Sequence, residues 1–153
     1  IGDHTTGSYV ASLGEPLDTY WLTGSSTPCI SIFKPYWMTE NDTVFATEQE
    51  EDALKFWLLR EEIHRLVLQN KVFKLEAFLK AGAELETKSL AVVAALNPKP
   101  DPSWLEVIMK QAWEEEQKLV HTTIVRNRHY AGEMNGNLLF KRYWKKQTEK
   151  LGF

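Results

Sequence analysis

A single cysteine, Cys29, stands among 153 residues. That excludes an internal disulfide framework and fits a reducing compartment, so a cytoplasmic location is expected. Long apolar runs are missing as well. None approaches the roughly 20 residues of a helical membrane span, and no membrane partner is expected. Basic excess is also lacking: the net charge is −3, and no basic run or RNA-binding signature accompanies it, which argues against nucleic acid. The stretch KRYWKKQTEK near the end is locally basic, but its aromatics fall at helical spacing and it reads as a solvated helix face. The opening residues do not have the charged-then-apolar pattern of a signal peptide. They start at Ile1 without a Met, as expected of a processed chain or an excised piece.

Metal-binding spacings are absent too. His4, His64, His121 and His129 form no HExxH pair, and Cys29 has no CxxC partner; neither a metal nor another cofactor is expected. No GxSxG elbow occurs, and the GSS at 24–26 reads as a turn, because no P-loop lysine follows it.

What is present is ordinary globular material, 43% hydrophobic and 25% charged, and long enough for one core. The first 37 residues carry strand signals. In HTTGSYVASL the residues His4, Thr6, Ser8, Val10 and Ser12 share one face, and Thr5, Gly7, Tyr9, Ala11 and Leu13 the other. GEPLD supplies a reversal into TYWLTG. Then either the second strand continues through a bulge at Gly24–Pro28, or a third begins at Cys29 in CISIFK and is closed by Pro35. Two or three strands are not stable alone, so this hairpin region (1–37) is expected to complete a larger sheet.

From Thr47 the period becomes helical. Thr47 and the acidic residues after it suit a helix start, and Phe56, Leu59, Ile63, Leu66 and Val67 form an apolar stripe. Helix continues from residue 70 to about 97, with Gly82 as the candidate break, up to the linker PKPDP at 98–102. A long helix follows, striped by Leu105, Ile108, Ala112, Leu119, Val120 and Ile124, and a short one ends the chain. The fold class expected is α+β: a small antiparallel hairpin or sheet, then a helical region over 47–153.

No complete active site emerges. Cys29 lies in an apolar run and is expected to be buried and inert. The acidic runs EQEED and EEE are expected to be solvated helix faces. At TTGSYVASL, YWLTGSSTPCISIFKP and ALKFWLLREEIHRLVL, however, the chain resembles the C-terminal part of secernin-like proteins. These belong to the dipeptidases with an N-terminal cysteine nucleophile, within the Ntn-hydrolase superfamily. The TTGS strand opening, the S-x-F-K-P ending of the strand region and the helical R-E-x-x-H-R carry the likeness.

The resemblance implies an αββα sandwich in which an amino-terminal Cys attacks an amide carbonyl, with its own α-amine as base. Residue 1 is Ile, so the nucleophile and most of the sheet would lie in an upstream N-terminal catalytic part of the same protein. No residue of this chain is expected to be catalytic. Thr6, Ser8, Ser25 and Ser31 are the polar residues best placed to approach a neighbouring substrate, and Lys34 is expected to be a strand-end charge. A non-catalytic helical interaction or oligomerisation module is the competing expectation. On either view the chain is expected to self-associate into a homo-oligomer, because Tyr9, Leu13, Trp21, Ile30, Ile32 and Phe33 need cover that one hairpin cannot supply.

Overall fold

A computed structural model describes residues 7–39 and 50–152. Thr6, His4 and the Thr47 helix start lie outside the described residues. Strands β1 (Tyr9–Ser12), β2 (Thr19–Leu22) and β3 (Lys34–Tyr36) form an antiparallel sheet in the order β1-β2-β3. Four helices accompany it among the described residues: α1 (Glu50–Leu68), α2 (Leu75–Ala94), α3 (Pro102–Asn127) and α4 (Leu138–Lys150). The chain is mixed α+β.

The register sets Val10 opposite Trp21 and Ser12 opposite Thr19, with Trp21 also opposite Pro35. The β1–β2 reversal passes through Gly14, at φ +124, where a side chain would be strained. Its amide donates to Asp18 Oδ1 at 2.7 Å.

The third strand departs from expectation. Pro28–Ile30 form one turn of 3-10 helix, so the alternation expected to start at Cys29 begins only at Lys34. Thr27, at φ 59, turns the chain into it. Pro35 does not close the strand but lies within it, opposite Trp21. It is tolerated there because β3 is an edge strand.

Gly82 does not break a helix. The interruption falls earlier, at residues 69–74, where Asn70 and Lys74 adopt left-handed backbone. α3 starts cleanly, with Asp101 Oδ1 accepting from Ser103 N at 2.9 Å and Pro102 in the first turn.

Two apolar clusters make the core. One joins Trp21 and Trp37 to Val93 of α2 and to Leu105, Ile108 and Met109 of α3. The other joins Ile63 of α1, Val72 and Phe78 to Val120 and Ile124 of α3. α3, some 39 Å long at about 1.5 Å per residue, therefore serves both clusters. Between them it carries Glu116. In contrast to this core, Tyr9 and Leu13 are each 71% exposed and all of β1 faces solvent.

Candidate functional site

Ionic side chains fill the gap between the two clusters. Lys34, expected as a strand-end charge, does begin β3 but is 1% exposed. Its ammonium has three hydrogens, and each finds an acceptor: Thr23 O at 2.9 Å, Ile32 O at 2.8 Å and the Glu116 carboxylate. The Trp113 ring lies 4.3 Å from Nζ and adds a cation–π contact. Burial pushes the Lys34 pKa down, opposed by Glu116.

The same carboxylate faces Arg60 of α1, with Nη1 to Oε1 at 3.4 Å and both side chains fully buried. Glu116 belongs to the EEE run expected to be solvated. Its neighbours are more exposed, but Glu116 sits on the α3 stripe that also carries Met109 and Val120, so the helix turns it inward. Arg60 lies likewise on the α1 stripe, between Phe56 and Ile63.

Arg60 extends the network to the predicted serines. Its Nη2 donates to Ile30 O at 2.9 Å and to Ser31 Oγ at 2.8 Å. Ser31 Oγ and Ser25 Oγ are 2.8 Å apart, and Ser31 reaches the carbonyls of Thr27 at 3.1 Å and Ser26 at 3.2 Å. A hydroxyl has one hydrogen. If Ser31 donates to these carbonyls, Ser25 donates to Ser31, whose lone pairs are then taken by Ser25 and Arg60. Such a hydroxyl is anchored, not activated. Ser8 takes no direct part: its amide donates to Thr23 Oγ1 at 2.9 Å. It touches the network through Thr23, whose carbonyl receives Lys34. Ser25 and Ser31 are thus brought together, and Ser8 stands one residue away.

A second arm leads from Thr27. Thr27 Oγ1 and His64 Nε2 are 2.9 Å apart, and His64 Nδ1 lies 3.1 Å from Arg65 Nη1. Arg65 Nη2 pairs with Glu61 at 2.7 Å. Burial works against a charged Glu61. Even so, the polar neighbours His64 and Ser26 and the Arg65 charge hold its carboxyl below the usual value. The left-handed backbone of Thr27 is rare for a β-branched residue, and the His64 contact holds it in place.

Cys29 is exposed, not buried as expected. The 3-10 turn breaks the strand alternation that would have placed it inside, and its thiol is open to reagents. It lines a cleft of about 330 Å³ with Ser31, Phe78, Gly82 and Glu86. Both ring nitrogens of His64 are engaged elsewhere, so His64 is not a base for this thiol. His121 and His129 are exposed on the outer faces of α3 and the segment after it.

Arg60, Glu116, Glu61 and His64 were missed as interacting groups in the sequence. The available signal was a charged residue on an apolar stripe. Chemically, the arrangement neutralises and orients buried charges. Lys34, Arg60 and Glu116 are at most 1% exposed, and a substrate has no route to them. No group of three or more His, Cys, Asp or Glu that could hold a metal occurs among the described residues, and none of their helices is long and apolar enough to cross a membrane. Compared with protein-family models, with curated proteins and with solved structures, the chain matches none.

Proposed function

We propose that this chain is the C-terminal part of a secernin-like amide hydrolase, of dipeptidase or acylase type, and that it supplies frame and not nucleophile. One observation carries the reading. Two of the three features behind the resemblance, S-x-F-K-P and R-E-x-x-H-R, come from different elements yet meet in one buried network. Ser31 and Lys34 come from the first, and Arg60, Glu61, His64 and Arg65 from the second. A shared structural task accounts for both: they pin the strand region to the helices through Glu116. In the αββα sandwich that the resemblance implies, the task is to hold the terminal strands of a catalytic sheet at fixed register. The upstream part of the same protein would add its strands beside β1 and bring the amino-terminal Cys. The lone thiol suits a cytoplasmic protein.

The competing reading is an interaction module, and β1 favours it specifically. All four residues of β1 are exposed, and among the described residues the strand pairs on one side only. Such an edge accepts another strand from whatever chain provides it.

Assays of dipeptide and acyl-amide hydrolysis by the purified chain test the first reading. No turnover is expected. Turnover that disappears on Cys29→Ala would place the nucleophile here and overturn the assignment of frame alone.

A further inference from the structure

Charge also gathers next to this network, at the C-terminal end of α1. A cleft of about 470 Å³ opens between the last turns of α1, α4 and the segment containing Gly132 and Met134. Arg65, Lys71, Lys141 and Lys145 line it, against Glu62 and Glu149. Four cations and two carboxylates thus converge in a chain of net charge −3.

Local pairing takes up part of this charge: Arg65 is bound to Glu61 at 2.7 Å, which leaves Lys71, Lys141 and Lys145 to set the field of the cleft. Lys141 reaches Glu133 at 3.5 Å, but that glutamate is 92% exposed, and such pairs are weak. Lys71 and Lys145 make no ion pair among the described residues.

The cleft is built on fixed supports. Arg65 is 7% exposed, gripped by Glu61 and seated 4.6 Å from the Trp144 ring. Its Nε makes no hydrogen bond among the described residues. Gln69 Nε2 donates to Thr148 Oγ1 at 3.3 Å, tying α1 to α4 at the cleft. On the third side Gly132 lies so close to the Asn70 carbonyl that any side chain would collide with it.

We propose that this cleft binds a small molecule bearing a multivalent oxyanion, phosphate or polycarboxylate, anchored by Arg65 and Lys145. The volume suits a metabolite-sized ligand. A planar guanidinium held at its back by a carboxylate and an aromatic ring is preorganised for an oxyanion, and the lysines act as point charges around it. The inference shares Arg65 with the motif behind the hydrolase proposal but uses neither a nucleophile nor the sheet, so a ligand-binding measurement and a hydrolysis assay test the two separately.

Calorimetric titration of the whole chain with pyrophosphate, and separately with citrate, provides the test. Saturable one-site binding of at least one of them is expected, and the preferred probe tells phosphate from carboxylate chemistry. Lys145→Glu should weaken it about tenfold or more, because a charge is reversed beside the ligand. Lys80→Glu, on the exposed face of α2, should change it less than about twofold at ordinary ionic strength. Lys145 is exposed, so the fold should survive, with circular dichroism as the check and Lys145→Gln as a milder second variant. The proposal is overturned by absence of saturable binding at millimolar concentration, by equal losses in the α2 and α4 variants, or by single-stranded RNA that binds without competition from pyrophosphate.

Discussion

Glu116 faces two buried cations, Lys34 and Arg60, and removing its charge strands both. Glu116→Ala should destabilise the chain by about 3–5 kcal/mol, the usual cost of leaving a buried charge without its partner. Lys34→Met combined with Glu116→Gln should cost less than the sum of the separate changes, because each single change breaks the same Lys34–Glu116 contact. Urea denaturation measures both, and strict additivity would mean that the pair is not coupled.

Glu61 adds a pH dependence. Its pKa in the fold is lowered, so its contribution to stability is complete above the ordinary carboxylate value. It is lost as pH falls through that value toward the lowered one. Glu61→Gln should therefore flatten the acid limb of a stability–pH curve. An unchanged limb would show that other carboxylates control it.

These residues were hard to recognise in sequence for a physical reason. A charge on an apolar stripe reads as an imperfect stripe unless its partner is known, and Glu116 is 82 residues from Lys34. Ser25 and Ser31 were legible as polar members of the strand region, but the arginine that binds Ser31 came from a different element.

Among the elements, the helices were the most legible, because their apolar periods persist over several turns. Phe56 and Ile63 of α1, and Leu105, Ile108, Val120 and Ile124 of α3, are buried as their spacing predicts. The strand region was less so. Its segments are three or four residues long, too short for alternation to be distinguished from a turn, and a 3-10 turn stands where a third strand was expected.

The sheet edges differ in consequence. β3 carries Pro35, which has no N–H to offer, whereas no described strand pairs with the outer side of β1. Thr23 N donates to Ser8 O at 3.1 Å. By antiparallel alternation Val10 and Ser12 then also turn toward β2, and the amides of Tyr9 and Ala11 point outward. Self-association through β1 at micromolar concentration is the expected result, and Ala11→Pro should abolish it while leaving the hairpin intact. Sedimentation velocity decides. A monomeric parent chain whose hairpin amides resist hydrogen exchange would show that the edge needs no partner.

At the scale of the whole molecule, the strand region, α1 and α3 are fastened by one network of buried charges, while no described strand covers the outer edge of β1. On the proposed function, that combination would serve as a rigid end-piece of a larger sheet, with catalysis supplied from the upstream side. The resemblance names the chemistry of that side, an amino-terminal cysteine exposed by processing. The most direct measurement is the intact mass of the mature protein expressed together with its upstream sequence. The account predicts a mass that corresponds to cleavage immediately before a cysteine, with this chain as the C-terminal portion. A mature mass with no amino-terminal cysteine would contradict it and leave the interaction module as the better reading.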